Sequence, residues 1–356
     1  MKLDEYFIRL TSGENLSQFD RMILYLLRII SIGYAAIMRA RAAAYGQSIL
    51  RSGKLPRPVI SIGNVTVGGT GKTPVTAWVA AYLLGKGKRV VVLSRGYGGS
   101  LEGTVAVVSD GVKRILTPLE AGDEPCLLAD NLPGLVVVIG SSRYDAGLLA
   151  MERFQPDIFI LDDGFQHLSL KRDLNILLLD AAKPFGNGFV FPAGLLREPV
   201  SAIKRADMIF LTRAESPVMT IERIPAKIPV IRSEHRLSGY RPHSGGDIRS
   251  FEELKGLKGL AFAGIAKPDQ FFDGLEKCGV RLVATLAFPD HTVYGDDEIA
   301  ALAKLRRSSS ADYLITTAKD AVKMPANQVS DFPFHVAQLE VLFHGEAMLK
   351  AALDKL

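Results

Sequence analysis

Three features of the sequence predict an α/β protein built on a parallel sheet flanked by helices. Short β-branched runs alternate with helical stretches, a glycine-rich loop sits between one such strand and the next helix, and the texture changes near residue 235. A chain of 356 residues is too long for one ordinary core, so a second, smaller α/β domain is expected. The expected boundaries are 1–50 for an N-terminal helical segment, 51–235 for the main domain and 236–356 for the smaller one.

Met22 to Met38, MILYLLRIISIGYAAIM, reads as a helix reaching about 25 Å at about 1.5 Å per residue, short for a membrane span and interrupted by Arg28. Between Asp20 and Glu102 there are 12 basic residues and no carboxylate, so the net +5 is concentrated around this helix. A basic, apolar helix fits the headgroup layer of an anionic membrane better than it fits a nucleic-acid groove. An ordinary packed helix with a solvated Arg face is the alternative. Met1 to Asp20 lacks an apolar run and does not resemble a secretory signal, so the N-terminus is expected to be kept.

Beyond Pro58 the expected strands are Val59–Ile62, Val90–Leu93, Leu135–Ile139, Ile158–Leu161, Asn175–Leu179 and Met208–Leu211, a six-strand core apolar enough for burial on both faces. Pro225, Pro229 and the polar stretch Ser238–Ser250 read as a linker or surface loop. Leu260–Ala263, Leu282–Ala287 and Tyr313–Thr316 continue the alternation, with helices at Pro268–Cys278 and Gly295–Arg306. The two cysteines, Cys126 and Cys278, lack partners at ligand spacing, which argues against a zinc site or a disulfide framework and for a reduced compartment.

Strand Val59–Ile62 runs into Gly63-Asn64-Val65-Thr66-Val67-Gly68-Gly69-Thr70-Gly71-Lys72-Thr73, followed by a helical stretch Pro74–Leu84. Strand, glycine loop, helix is the order of a P-loop, and it makes the sheet P-loop NTPase-like. Backbone N–H groups from Thr66 to Thr73 would surround phosphate oxygens, the helix N-terminus would add its positive dipole end, Lys72 would reach the β- and γ-phosphates, and Thr73 would offer a hydroxyl to Mg²⁺. Thr66 stands where the general pattern G-x-x-x-x-G-K-[ST] has its first glycine. The alternative is a glycine-rich turn that binds nothing.

Asp162 and Asp163 end the buried run Ile158–Leu161, where a P-loop fold holds its metal-coordinating acid, although paired Asp residues also form turns. Ser94–Gly99, SRGYGG, follows the second strand and so lies on the ligand-binding rim of an open α/β sheet, or is a flexible loop. Asp123 in GDEP and His291 beside Asp290 are unspecific by themselves.

Together TVGGTGKTP, SRGYGG, AGDEP, LDDGFQH, FGNGFVFPAGLLREP, FPDH and TTAKDAVK resemble the tetraacyldisaccharide 4'-kinase family of lipid A biosynthesis over almost the whole chain. The resemblance implies an ATP- and Mg²⁺-dependent enzyme that phosphorylates the 4'-hydroxyl of a tetraacyldisaccharide 1-phosphate. It implies peripheral attachment to the cytoplasmic face of the bacterial inner membrane, with no nucleic acid and no protein partner. Asp123 would be general base with His291 as its partner, while Asp162, Asp163 and Gln166 would serve the Mg²⁺–nucleotide. Tyr97 and Arg143 would face the lipid headgroup, and Arg197 and Glu198 would be associated with the site. Ala318 departs from the family, which usually has Glu before this Lys-Asp pair, and that leaves TTAKD without an assigned role.

With Asp123 in the first domain and His291 in the second, closure of the domains around nucleotide is expected. Two rivals remain. One is a membrane-associated switch ATPase, against which Val67 weighs, since those proteins carry a second lysine before the paired glycines. The other is a nucleotide-binding scaffold that leaves ATP intact.

Overall fold

The structure, a computed structural model, describes residues 3–13, 16–214, 221, 223–324 and 332–356, with side chains from Tyr6 onward. In chain order the elements begin with helices α1 (Leu3–Ser12) and α2 (Gln18–Gly46), strand β1 (Val59–Asn64), helix α3 (Lys72–Gly85) and strands β2 (Val90–Ser94) and β3 (Ala106–Asp110). Helices α4 (Pro118–Ala121) and α5 (Asp123–Asn131) precede β4 (Val136–Ile139), α6 (Arg143–Phe154), β5 (Ile158–Asp162), β6 (Leu174–Asp180), β7 (Met208–Thr212) and β8 (Val230–Pro242). The chain ends with β9 (Gly259–Ala263), α7 (Pro268–Lys277), β10 (Leu282–Ala287), α8 (Asp296–Ser309), β11 (Tyr313–Thr317), α9 (Ala318–Ala321), β12 (Phe334–His344) and α10 (Glu346–Leu353).

These elements form two compact units, and both are discontinuous. The first comprises Met1–Ser94, Ser142–Glu234 and Phe343–Leu356; the second comprises Arg95–Ser141 and His235–Leu342. One crossing lies at 234/235, beside the expected boundary, but residues 95–141 belong with the C-terminal unit and residues 1–50 with the P-loop unit. Asp123 and His291 therefore share a unit, which removes the ground on which domain closure was expected.

In the first unit the strand order is β8-β7-β6-β1-β5-β2, with parallel pairing throughout. β1 is central, and both it and its neighbour β5 are wholly buried, while β6 on the other side is buried except at its last residue, as strands covered on both faces must be. Helix α3 buries Val75, Thr76, Val79, Ala80 and Leu83, a stripe at helical spacing. The apolar helix is longer than the sequence suggested, Gln18–Gly46 rather than Met22–Met38, and starts at a capping box in which the Ser17 hydroxyl accepts from Asp20 N and the Asp20 carboxylate accepts from Ser17 N. By length and composition it is able to cross a membrane. One stripe is nevertheless bound to the unit: Leu24 packs with Leu10 and Ala193, and Ser31 Oγ donates to the Val190 carbonyl at 2.8 Å while accepting from Ala193 N at 2.9 Å. Phe19, Met22, Tyr25, Ile29, Ile30 and Ile32 remain exposed.

In the second unit β10-β9-β11-β12-β8 are neighbours, and β3 pairs antiparallel with β4. Three strands differ from expectation. The stretch read as a linker contains the C-terminal half of β8, and β12 and β3 were not anticipated; all three are half-exposed, so they lack the continuous apolar run by which the buried strands were found. Leu135–Ile139, expected as a core strand, is the buried strand β4 (Val136–Ile139), which also pairs antiparallel with β3, and the start of β8 adds a strand that was not expected beside β7.

Candidate active site

The loop between β1 and α3 is fixed from both ends. Thr66 bridges Leu196, Val67 N donates to the Leu195 carbonyl and Arg197 N donates to the Val65 carbonyl, both at 2.7 Å. Gly71 adopts φ 81° as the N-cap of α3, which a side chain would resist. Lys72 opens the helix with its side chain 10% exposed and its Nζ 3.7 Å from Asp163 Oδ1. Arg197 Nη1 donates to Asp163 Oδ2 at 2.6 Å. Burial pushes the Asp163 carboxyl up, but Lys72, Arg197 and Arg143 outweigh it, so the group is held below the usual carboxylate range. Asp163 sits at φ 52°, an uncommon backbone for a non-glycine residue and one met at functional turns.

The neighbouring side chains are held as firmly. Asp162, 1% exposed, accepts from Thr76 Oγ1 at 3.1 Å, which links the end of β5 to α3. Gln166 Nε2 donates to the Asn64 carbonyl at 2.7 Å, and its own carbonyl accepts from Arg41 of α2. Arg213, beyond the end of β7, donates to the Gly69 carbonyl of the loop and pairs with Asp180 at 3.3 Å.

The second unit carries a cluster of acids and bases. Asp123 is the first residue of α5, and the Gly122 before it has φ 87° and a position where a Cβ would lie 2.5 Å from the Tyr97 carbonyl. SRGYGG and AGDEP are thus locked together by backbone contact. Asp123 Oδ2 lies 3.1 Å from His291 Nδ1 and 3.5 Å from Lys323 Nζ. His291 Nε2 lies 3.2 Å from Lys319 Nζ, which also donates to Asp290 at 3.1 Å. Burial would raise the Asp123 carboxyl, but the His291 hydrogen bond and the Lys323 and Lys319 charges prevail and lower it.

Residues 23–356 match the family described as tetraacyldisaccharide-1-P 4'-kinase (LpxK). The chain belongs to that family. It is similar to the tetraacyldisaccharide 4'-kinase of Geobacter metallireducens, with 53% identity covering 94% of this chain and 99% of that one, and to that of Geobacter sulfurreducens, with 48% identity covering 100% and 99%. Among solved structures it is similar to the "apo" form of LpxK from Aquifex aeolicus in complex with ATP, with a TM-score of 0.80, 34% identity, and coverage of 94% of this chain and 99% of that one.

Set among the motifs of the tetraacyldisaccharide 4'-kinase family, four positions acquire places that the sequence did not specify. Tyr97 is 66% exposed, with its ring edge toward His291 at 6.2 Å between centroids. Arg143 is 4% exposed at the start of α6, where its charge acts on Asp163; a buried guanidinium there is a different thing from the headgroup-facing one that the resemblance implied. Glu198 is 3% exposed and paired with Arg205, whose guanidinium lies 4.8 Å from the Phe165 ring centroid, so this pair supports the DDGFQ turn from behind. Arg197 alone of the LLREP residues reaches Asp163.

Thr76, Arg213 and Lys323 were missed in the sequence, and Lys319 was noted there without a role. The two lysines had a signal: their i,i+4 spacing in TTAKDAVK puts both on one helical face.

The residues present fit a hydrated Mg²⁺. Asp163 Oδ1 is buried and has no hydrogen-bond donor among the described residues, and Asp162 and Thr73 supply further oxygens. Mg²⁺ takes one or two carboxylates together with substrate phosphates, so it needs no cluster of three acids, and none was found among the described residues.

Proposed function

We propose that this chain transfers the γ-phosphoryl group of ATP to the 4'-hydroxyl of a tetraacyldisaccharide 1-phosphate, giving the bisphosphorylated lipid A precursor. Kinase activity and ATP binding follow from the family. The observation that carries the residue assignments is the convergence of Lys72, Asp163 and Arg197 at the mouth of a braced glycine loop.

In this reading the loop amides from Thr66 to Thr73 hold the phosphates. Lys72 leaves Asp163 to follow the charge that develops on the transferred group, and Arg197 keeps Asp163 oriented. Mg²⁺ held by Asp162, Asp163 and Thr73 would neutralise the β- and γ-phosphate oxygens, while Gln166 fixes the turn from which the two acids project. Asp123 accepts the hydroxyl proton. Its lowered pKa makes it a weak base, which suits a loose transition state in which proton transfer comes late and positioning supplies most of the acceleration. Tyr97, exposed beside His291, offers a flat surface to the sugar headgroup. The exposed apolar side chains of α2, interspersed with Arg21, Arg28 and Arg39, fit a helix lying on the cytoplasmic face of the inner membrane, from which the lipid substrate is drawn.

The test is transfer of labelled γ-phosphate to tetraacyldisaccharide 1-phosphate in detergent micelles. Labelled bisphosphorylated lipid made by the wild type and lost in Lys72→Ala and Asp123→Ala is the expected result. ATP hydrolysis without labelled lipid would favour the switch ATPase, and stable bound ATP the scaffold.

A further inference from the structure

The segment TTAKDAVK, left without a role by the sequence, encloses the Asp123–His291 pair. Lys319 is the second residue of α9, and Lys323 follows one turn later. Lys323 is nearly buried, with 5% of its side chain exposed, and its ammonium lies between Asp123 Oδ2 at 3.5 Å and Asp320 Oδ1 at 3.2 Å, with the Tyr294 ring centroid 5.4 Å away. Asp320 is itself anchored: its Oδ2 accepts from Gly264 N at 3.0 Å and from Thr317 Oγ1 at 2.7 Å. A buried ammonium held by one anchored carboxylate and pointed at another is an expensive arrangement, stable only because both charges are paired.

Lys319 does a different job. An ammonium has donors and no lone pair, so at 3.2 Å from His291 Nε2 it requires that nitrogen to accept. The ring hydrogen then lies on Nδ1, facing Asp123 Oδ2 at 3.1 Å. The opposite tautomer would set the Nδ1 lone pair against a carboxylate and a ring N–H against an ammonium, two repulsive contacts in place of two hydrogen bonds.

We propose that Lys323 and Lys319 are positioning residues for the transfer step: Lys323 holds the Asp123 carboxylate in place as an anion, and Lys319 fixes His291 with its Nδ1–H on Asp123. The inference rests on the reading of Asp123 as the base. It gives the two lysines separable effects. Among the described residues, the groups that face Asp123 are His291, Lys319, Lys323, the Tyr294 hydroxyl and, from its own helix, the Cys126 thiol; Asp290 and Asp320 are the counter-ions of the lysines. Of these, only Lys323 sets a buried positive charge against the carboxylate without also binding the imidazole.

The experiment uses the full chain. In the Lys323→Met variant, loss of an opposite charge at this range raises a carboxyl by about 1–3 pH units. The acid limb of the kcat/KM profile should move up by about that much, with activity recovering at high pH and with ATP affinity unchanged. A fall of equal size at every pH, or an unmoved limb, would overturn the role of Lys323.

¹⁵N-histidine NMR of the wild type, with the resonance assigned through His291→Gln, should show hydrogen on Nδ1 and a bare, accepting Nε2; hydrogen on Nε2 alone would overturn the role of Lys319. In Lys319→Met the ammonium that makes Nε2 an acceptor is gone, so the Nε2 resonance should move, and a spectrum identical to wild type would count against it. This readout needs neither turnover nor a stable Lys323 variant. Asp123→Asn separates the two levels: if it retains turnover, the base assignment itself falls, whereas an inactive Asp123→Asn beside an unmoved Lys323→Met profile refutes the lysine proposal alone.

Discussion

Replacing Thr76 by valine keeps the shape of the side chain and removes the hydroxyl that Asp162 Oδ1 accepts from at 3.1 Å. Thr76 is 0% exposed and Asp162 1%, so water does not replace the lost donor without disturbing the packing. A hydrogen bond to a charged group contributes about 1.5–3 kcal/mol, and a buried acceptor left short of a donor lies toward the upper end. At about 2–4 °C per kcal/mol for a folding unit of 150–250 residues, the melting temperature should fall by roughly 3–12 °C.

The bond also links the end of β5 to the helix that Lys72 and Thr73 begin, so a displaced Asp162 should weaken Mg²⁺–ATP binding. A loss of about 1–2 kcal/mol is about 5–30-fold in affinity. Urea unfolding of the nucleotide-free protein and equilibrium titration of ATP, with and without Mg²⁺, measure the two effects. A Thr76→Val protein within about 0.5 kcal/mol of wild type, the ordinary range of a neutral surface substitution, and with the same Mg²⁺-dependence of ATP binding, would refute the coupling of Asp162 to α3.

Gly122→Ala forces a side chain onto a φ of 87° and against the Tyr97 carbonyl, so it should reduce kcat far more than it weakens ATP binding, as steady-state kinetics and titration would reveal. The Arg89 hydrogen bonds hold Asp157 at about 2, against 3.8 for a free Asp. A carboxyl with a depressed folded pKa stabilises fully above the unfolded value, so this contribution is present above about pH 4 and is lost as pH falls toward 2. With side chains 59% and 30% exposed, the pair is strongly screened by solvent, so Asp157→Asn should cause a small loss of stability at pH 6 that fades as pH falls through 2 in urea titrations. Serine at Tyr25, Ile29 and Ile32 together should lower co-sedimentation with anionic vesicles while leaving the melting temperature and ATP affinity in place; unchanged sedimentation would remove α2 from the membrane reading.

The parts of the site legible in the sequence were those written in one contiguous stretch. Gly68 to Thr73 and Asp162-Asp163 could be placed because strand, loop and helix follow one another along the chain, and each motif brings its own local geometry. Lys323 against Asp123 could not, since their proximity depends on Arg95–Ser141 packing with His235–Leu342, a pairing that no local pattern encodes. The same holds for the sheet: β1, β5 and β6 announce themselves by short, mostly apolar runs, whereas β8, VIRSEHRLSGYRP, mixes buried with exposed residues and carries enough charge to pass for a linker. Glu198 was legible as part of a motif but not as a support, because its pairing with Arg205, whose guanidinium lies over Phe165, is a tertiary contact.

An oily N-terminal helix invites removal whenever a protein of this kind is to be made soluble, and in this chain that would be a poor bargain. The Ser31 hydroxyl is threaded between Val190 and Ala193, the Tyr34 hydroxyl reaches the Arg197 carbonyl at 3.3 Å, and Arg41 caps the Gln166 carbonyl at 3.3 Å. Each of those partners lies in a strip of chain that steadies the phosphate loop or the acidic turn. Solubility is better sought by repainting the outward face residue by residue, since a shortened protein would lose the contacts that hold its phosphate loop and acidic turn in place.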